Sequence, residues 1–288
     1  MTHRTPSPSP LSALLRVPGG PVRIADFDPR ATPGFPGGGK KEANRLRQAL
    51  APELSEWQEL LFANGRSRPE EAPRVLVVLQ GMDTSGKGGV IRHAIGLVDP
   101  QGVDIHSFKA PTARERAHHY LWRIERALPM PGMIGIFDRS HYEDVLVARV
   151  EELVPGSELE RRYDQINGFE GFLTEQGYTI IKCFLHISAD EQQQRLASRL
   201  ERPEKHWKYN PGDLVARSKW DAYVTAYEAA LERCSTDVAP WYIVPSDRKW
   251  YRNWAVAELL REKLAGLGLT WPSADFDVAD QRRLVAEA

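Results

Sequence analysis

The hydrophobic residues of this chain fall into short continuous runs that alternate with longer stretches of mixed polarity. Residues 74–80 form one such run, which is rich in valine and is followed by glycine, as expected for a strand buried on both faces. Similar runs occupy residues 133–137, 179–187 and 241–244. The pattern therefore predicts four buried strands.

The stretches between these runs carry signals of helices. Leucines and alanines recur at helical spacing among charged residues over residues 41–64, which is typical of amphipathic helices. The motif Ser/Thr-x-x-Glu marks helix starts, because its two side chains bond free amides there, and it occurs at residues 112–115, 157–160 and 188–191. The first of these starts opens a predicted helix over residues 113–127. Strands and helices that alternate in this way pair in parallel, so we predict an α/β fold, a three-layer α/β/α sandwich around a parallel sheet.

Proline and glycine mark the predicted domain boundaries. Residues 1–40 are rich in proline and end in glycines at positions 37–39, a composition that resists regular structure. We predict a mobile arm and lead-in over residues 1–40, one folded domain over residues 41–272 and a C-terminal tail over residues 273–288. One domain agrees with a length of 288 residues, since hydrophobic cores stop growing at roughly 250–300 residues.

The strongest chemical signal directly follows the first predicted strand. Residues 81–89 read Gly-Met-Asp-Thr-Ser-Gly-Lys-Gly-Gly and match the G-x-x-x-x-G-K pattern of a P-loop. Glycines let backbone amides point at an anion, the following helix presents its positive end, and the lysine adds a mobile charge. The alternative is a glycine-rich turn that only joins strand to helix. The predicted phosphate-binding residues of this segment are Gly81, Ser85, Gly86, Lys87, Gly88 and Gly89.

Two aspartates are candidate metal ligands. The serine or threonine that usually follows the P-loop lysine and ligates Mg²⁺ is replaced by Gly88. Asp83 lies inside the loop, where a carboxylate beside phosphates is repulsive unless a cation lies between them. Asp138 ends the second apolar run, as in the Walker B element of P-loop proteins. We predict that both bind Mg²⁺, with Mn²⁺ as an alternative. The competing interpretations are a turn-forming Asp83 and a surface ion pair between Asp138 and Arg139.

Arginines and lysines cluster after the third predicted strand. Arg195, Arg199 and Arg202 follow helical spacing, which is usual for a solvated charged face. Pro203 and the Asn-Pro-Gly sequence at residues 210–212 interrupt that helix. We therefore predict a lid over residues 195–217. In phosphoryl transfer, lid arginines stabilise charge on the transferring group and exclude water.

Composition and charge indicate where the protein acts and which partners it can have. The formal net charge is −1, so attraction for an anion has to come from local clusters of arginine and lysine. Cys183 and Cys234 lie far apart, which favours buried thiols in a reducing compartment over a disulfide or a zinc site. No apolar run approaches the roughly 18 residues needed to cross a bilayer. We expect a cytoplasmic protein with neither a membrane nor a nucleic-acid partner.

Several longer motifs extend these signals. They read Val-Leu-Gln-Gly-Met-Asp-Thr-Ser-Gly-Lys at residues 78–87, Ser-Phe-Lys-Ala-Pro-Thr at residues 107–112 and Phe-Asp-Arg-Ser-His-Tyr-Glu-Asp-Val-Leu at residues 137–146, and shorter motifs continue to residue 252. In combination they resemble the second family of polyphosphate kinases. The likeness covers about residues 41–272.

The resemblance implies a fold like that of thymidylate kinase, with a helical lid over a basic channel for polyphosphate. Members of the family transfer the terminal phosphoryl group of inorganic polyphosphate to nucleoside mono- or diphosphates, many of them reversibly. The resemblance also implies a homo-oligomer, either a dimer or a tetramer. The catalytic residues that it implies are Asp83, Lys87, Asp138 and Arg139, and the further phosphate contacts are Lys109, Arg195, Arg199 and Lys208.

The acceptor and the donor are left open by the sequence. The motifs at residues 107–112 and 139–146 look most like the branch that accepts AMP and often ADP, whereas Gly88 resembles the ADP-preferring branch. GMP and GDP are alternative acceptors. The rival hypotheses are a conventional ATP-dependent kinase of a nucleotide or small molecule, which would use the same P-loop and lid, and a non-catalytic nucleotide-binding protein.

Overall fold

A five-stranded sheet forms the centre of the computed structural model, which describes residues 9–288. All neighbouring strands are parallel, in the order β2-β3-β1-β4-β5. The strands are β1 (Arg74–Gln80), β2 (Val103–Ser107), β3 (Ile134–Asp138), β4 (Tyr178–His186) and β5 (Trp241–Pro245). The four predicted strands are confirmed as β1, β3, β4 and β5. The sequence prediction missed β2, because this edge strand is short and four of its five residues are exposed.

Helices cover both faces of the sheet. They are α1 (Leu11–Leu15), α2 (Lys40–Ala49), α3 (Ala51–Ser67), α4 (Lys87–His93), α5 (Ala113–Arg116), α6 (Trp122–Glu125), α7 (Glu143–Val150), α8 (Gly156–Glu175), α9 (Ala189–Leu200), α10 (Gly212–Ser218), α11 (Trp220–Arg233), α12 (Lys249–Ala265) and α13 (Val278–Glu287). Four 3₁₀ turns, Ile24–Asp26, Ile95–Leu97, Pro100–Gly102 and Pro203–Lys208, complete the described elements.

Two hydrophobic cores lie on opposite faces of the sheet. Leu76 and Val78 of β1 pack into the core that α7, α8 and α11 cover. Val75, Val77 and Leu79 pack into the core that α3, α4 and α12 cover. Since successive side chains of a strand point to opposite faces, a run buried on both sides has to be continuously apolar. The predicted three-layer α/β/α fold is confirmed.

Part of the N-terminal segment, predicted as a mobile arm and lead-in over residues 1–40, packs against this body. Leu11 and Leu15 are each 4% exposed and belong to the second core. The backbone amides of Leu11 and Ser12 donate to the Glu262 carboxylate of α12, at 2.6 and 3.0 Å. Apolar residues between the prolines explain this packing, because their burial anchors an irregular backbone. Residues 1–8 of the predicted arm lie outside the described residues.

The helix starts follow the predictions in part. Thr112 and Glu115 form the complete capping box, but the predicted helix over residues 113–127 is split into α5 and α6. Ser188 caps α9 by accepting from the Glu191 amide. The predicted cap at Ser157 is wrong, since α8 already begins at Gly156 after a proline.

A polar network crosses the first core. The Lys182 ammonium of β4 is fully buried and lies 2.5 Å from a Glu170 carboxylate oxygen. Lys182 also donates to the Tyr142 hydroxyl at 2.8 Å and to the Cys234 carbonyl at 2.6 Å, so all three of its N–H groups are bonded. His141 lies 3.2 Å from the same carboxylate. Burial by itself would raise the pKa of Glu170, but Lys182 and His141 hold it below its ordinary value.

Removing one partner of this ion pair should destabilise the protein strongly. We expect Lys182→Met to lower the free energy of unfolding by roughly 3–5 kcal/mol, because Glu170 loses its ammonium partner and its buried charge keeps only His141 and the Tyr142 hydroxyl. The double variant Lys182→Met/Glu170→Leu should lose less than the sum of the single variants. Urea unfolding measures both.

A matched control comes from an exposed ion pair. Arg68 and Glu71 lie 3.9 Å apart and are both mostly exposed, so Glu71→Gln should change stability by less than about 1 kcal/mol. Equal effects of Lys182→Met and Glu71→Gln would contradict the structural importance of the buried pair.

Candidate active site

The P-loop joins β1 to α4 through a tightly curled backbone. Gly81 and Gly86 have φ values of 151° and 111°, and Thr84 has a φ of 65°. A turn within the loop brings the Ser85 amide 3.0 Å from the Met82 carbonyl. At Gly86 a side chain is excluded twice, because the positive φ is strained for any other residue and a Cβ would overlap the Arg252 guanidinium. The sequence-predicted P-loop is therefore present.

Gly88 occupies a different environment within the same loop. Apart from its chain neighbours and the backbone of its own helix, no atom of residues 9–288 lies within 4 Å of a Cβ built on Gly88. The residue is exposed to the cleft described below. The missing serine or threonine hydroxyl at this position is therefore not a consequence of steric exclusion by the protein.

Asp138 is brought to the P-loop by the register of β1 and β3. Leu79 pairs with Asp138 in the sheet, and the Arg139 amide then donates to the Leu79 carbonyl at 3.1 Å. Arg139 has a φ of 65°, which turns its side chain out of the strand direction. Its guanidinium bridges Asp83 at 2.9 Å and Glu143 at 3.1 Å. Three predicted catalytic residues, Asp83, Asp138 and Arg139, thus lie together at the carboxyl ends of β1 and β3.

The charged groups around the P-loop shift one another's pKa values. Burial would lower the pKa of Arg139, but Glu143 and Asp83 raise it above its ordinary value. The Lys87 ammonium folds back over the loop and donates to the Gly81 carbonyl at 3.0 Å. Burial and the neighbouring Arg139 lower the pKa of Lys87. An anion bound next to Lys87 would oppose this lowering of its pKa, since it favours the charged form of the ammonium.

A cleft of about 710 Å³ opens in front of these residues. Nine arginine and lysine side chains and only three carboxylates line it, so its field attracts anions. The cationic residues are Lys87, Arg92, Arg139, Arg195, Arg199, Lys205, Lys208, Lys249 and Arg252, and the carboxylates are Asp83, Asp138 and Asp213.

The two candidate metal ligands face this cleft together. Asp83 and Asp138 both line it, and carboxylate oxygens suit a hard divalent cation. Within residues 9–288 there is no cluster of three or more His, Cys, Asp or Glu side chains that would hold a metal alone. The donor set therefore fits a cation that takes its remaining ligands from water and from substrate phosphates, as Mg²⁺ commonly does.

The segment predicted to be a lid, residues 195–217, spans the second half of α9, the 3₁₀ turn Pro203–Lys208 and most of α10. Arg199 of α9 donates to the Lys208 carbonyl at 2.8 Å and to Asp213 of α10 at 3.1 Å. Trp207 is 78% exposed, and the Lys208 ammonium lies 4.8 Å from the centre of its ring. Lys205 and Lys208 thus reach the cleft from the 3₁₀ turn between the two helices. They do not belong to the surface of a regular α-helix.

Arg195 has a different environment from the one predicted. Its side chain is only 8% exposed, and all five of its N–H groups are bonded. Their acceptors are the Glu191 carboxylate and the carbonyls of Thr84, Ser85, Ser246 and Asp247. In this arrangement the guanidinium has no N–H left for a phosphate. Arg195 braces the P-loop and contributes its charge to the cleft.

Lys109 also lies apart from the other predicted residues. It follows β2, and the Phe108 amide donates to the Asp138 carbonyl at 3.0 Å. The Lys109 side chain is exposed and does not line the cleft, while its carbonyl accepts from Arg123 at 2.8 Å. The structure places Lys109 near the strand end that carries Asp138 but outside the described cleft.

Sequence reasoning missed several residues that belong to this site, among them Glu143 and three residues from distant parts of the chain. Glu143 stands in a motif already singled out, four residues after Arg139, so helical spacing predicts their contact. No spacing rule connects the P-loop to the other three, which lie more than one hundred residues further along the chain. These are Asp213, Lys249 and Arg252.

Across residues 9–288, no helix combines the length and the apolar character needed to cross a membrane.

The C-terminal helix α13 has no buried residue. It follows a stretch in which Trp271 and Phe276 are 54% and 58% exposed.

Comparisons with known proteins agree with the geometry. Residues 39–267 match the family model described as Polyphosphate kinase 2 (PPK2). The chain is 48% identical over 258 residues to the AMP/ADP-polyphosphate phosphotransferase of Meiothermus ruber, which covers 90% of this chain and 94% of that relative. It is 40% identical over 245 residues to the ADP-polyphosphate phosphotransferase of Rhodopseudomonas palustris, which covers 81% of this chain and 83% of that relative.

A solved structure gives the same result. The crystal structure of polyphosphate kinase 2 from Arthrobacter aurescens superimposes with a TM-score of 0.93 at 51% sequence identity, over 97% of this chain and 98% of that chain. The resemblance inferred from the sequence motifs is confirmed, and the chain belongs to the polyphosphate kinase 2 family.

Proposed function

We propose that this protein is a polyphosphate-dependent nucleotide kinase. It transfers the terminal phosphoryl group of inorganic polyphosphate to a nucleoside mono- or diphosphate, with AMP and ADP as the first candidates and GMP and GDP as alternatives. The observation that carries this proposal is the cleft, in which cationic side chains continue from the P-loop to the 3₁₀ turn and to α12. Such a lining suits an extended polyanion. The relatives named above, an AMP/ADP- and an ADP-polyphosphate phosphotransferase, support the same donor.

The P-loop and Arg139 bind and polarise the transferring group in this proposal. An oxygen of the acceptor phosphate forms a bond to the terminal phosphorus, and the bond from that phosphorus to the bridging oxygen breaks. Negative charge spreads over the equatorial oxygens, where Lys87, Arg139 and the loop amides stabilise it. The attacking oxygen is already anionic, so no strong base is required. The reaction is reversible, because both sides carry similar phosphoanhydride bonds.

Asp83 and Asp138 are the proposed ligands of Mg²⁺, or of Mn²⁺ in its place. The bound cation supplies charge neutralisation between the two substrates. The protein contributes the placement of the carboxylates, which the sheet register fixes for Asp138 and the loop turn for Asp83.

The lid keeps water from the reacting phosphorus in this proposal. Residues 195–217 would close over the polyphosphate through Arg199, Lys205 and Lys208, while Arg195 holds the base of the lid against the P-loop. Water excluded in this way cannot compete as the nucleophile. We further propose that residues 41–272 form the catalytic domain, that Lys109 is a further contact of the phosphates, and that the protein is a cytoplasmic homo-oligomer.

Donor dependence separates this function from a conventional ATP-dependent kinase. The purified protein with Mg²⁺ and long-chain polyphosphate, without ATP, should convert AMP to ADP or ADP to ATP, because the cleft binds the donor as a polyanion. Product formation is measured by chromatography with AMP, ADP, GMP and GDP tested separately. Turnover from ATP alone, with none from polyphosphate, would instead establish the conventional kinase.

The metal assignment is tested by an isosteric change. Asp138→Asn should lower kcat by roughly 10²–10⁴-fold with Mg²⁺, because the neutral amide neither binds the cation well nor balances the local charge. Steady-state assays and circular dichroism measure turnover and folding. The control is Asp104→Asn, which alters an exposed carboxylate on the neighbouring β2 and should leave kcat unchanged. Near-normal turnover of Asp138→Asn would refute the assignment.

The lid assignment is tested by comparing two cations of the same segment. Lys208 lines the cleft, whereas Arg202 is paired with Glu204 at 2.7 Å and does not line it. Lys208→Ala should raise the KM for polyphosphate roughly tenfold, since one charge-assisted phosphate contact is lost. Arg202→Ala should change it less than about twofold. Equal effects of the two substitutions would show that total charge, and not position in the cleft, determines binding.

A further inference from the structure

Arg252 lies against the P-loop backbone although it is far from the loop in sequence. It belongs to α12 and is only 3% exposed. Its Nη1 donates to the Ser85 carbonyl at 2.9 Å, while Nε and Nη2 donate to the Asn253 side chain at 3.2 and 2.9 Å. Arg195 donates to the same Ser85 carbonyl at 3.0 Å. One peptide group of the loop is thus held by two guanidinium groups.

This contact fixes the direction of the loop amide. In a trans peptide the carbonyl and the following N–H point in opposite directions. The two arginines that hold the Ser85 carbonyl therefore direct the Gly86 amide away from themselves. The same packing explains two of the loop glycines, because a Cβ on Gly86 would overlap the Arg252 guanidinium and a Cβ on Gly89 would lie 2.6 Å from its Nη2.

The charge of Arg252 is not neutralised by the protein. Among residues 9–288 no carboxylate lies within 4.0 Å of its guanidinium, and the nearby Glu191 is already paired with Arg195 at 2.8 Å. Lys249 stands one turn earlier on the same helix and also lines the cleft. Burial and the neighbouring Arg195 lower the pKa of Arg252 to about 9. A buried cation in this position is costly until an anion approaches it.

We propose that Arg252 is a positioning residue for phosphate binding. It orients the Ser85–Gly86 peptide and holds an unneutralised positive charge beside the P-loop, which the bound phosphate chain neutralises. This inference rests on the proposed function only for the identity of that chain, polyphosphate. Binding of the polyanion and stability of the protein are therefore coupled through this one side chain.

The experiment compares the thermal stability of the full-length protein with and without ligand. The variants are Arg252→Met, which removes the charge and the hydrogen bonds, and Arg252→Lys, which keeps the charge but not the planar fork. Arg261→Met is the matched control, since Arg261 lies on the same helix but pairs with Glu258 and Glu53. Melting temperatures are measured in buffer alone, with tripolyphosphate and with long-chain polyphosphate, and each variant is assayed for KM and kcat.

The expected result distinguishes positioning from simple structural support. Arg252→Met should melt within a few degrees of the wild type without ligand, because the lost hydrogen bonds are offset by removal of an unpaired buried charge. It should lose most of the stabilisation by polyphosphate, and its polyphosphate KM should rise roughly tenfold while the KM for the nucleotide changes less than about threefold. Arg252→Lys should recover part of the stabilisation. Arg261→Met should retain the full ligand-induced rise.

Two results would overturn the inference. One is a ligand-induced rise in Arg252→Met equal to that of the wild type. The other is a large loss of stability in the absence of ligand together with an unchanged polyphosphate KM, which would make Arg252 a purely structural residue. If the wild type uses ATP and not polyphosphate, the proposed function fails, and the same comparison of melting temperatures with ATP as the ligand still decides the role of Arg252.

Discussion

The parallel register between β1 and β3 is the constraint on which the site depends. It pairs Leu79 with Asp138, so the P-loop leaves the sheet beside the strand end that carries the second acid. The Arg139 amide bonds the Leu79 carbonyl, which extends the pairing by one residue and fixes the turn that aims Arg139 at Asp83. A shift of register by one residue would point Asp138 to the opposite face. Backbone pairing in the core therefore determines where Asp138 and Arg139 lie relative to the P-loop.

Two buried cations, Lys182 and Arg252, differ in how their charge is compensated. Lys182 lies in the core, where Glu170 neutralises it and all three of its N–H groups are bonded. Arg252 lies beside the P-loop with carbonyl and amide acceptors, and the part of the chain that the structure describes gives it no carboxylate partner. The first arrangement is complete without a ligand and supports the fold. The second is electrostatically incomplete and is directed toward an anion that comes from outside.

The sequence predicts the parts of the molecule that depend on local pattern. The apolar run of β1, the P-loop and the acid that ends β3 are each encoded within a few consecutive residues. The edge strand β2 and the packing of Leu11 lack such a signal, because exposed residues and prolines dominate there. The acceptors of Arg195 and the contact of Arg252 with Ser85, which spans 167 residues, depend on how α9 and α12 pack around the loop. Contacts of this kind require the complete fold.

The open space at Gly88 separates what the fold requires from what the ligand requires. At Gly86 the positive φ and the buried Arg252 guanidinium both oppose a side chain, so the fold itself favours glycine there. At Gly88 the described residues, apart from its chain neighbours and its own helix backbone, leave 4 Å of free space around the position of a Cβ, so packing does not oppose a serine or an acidic residue there. Packing within the fold therefore does not require glycine at position 88, and the size of the residue there affects only the space in the cleft that it faces.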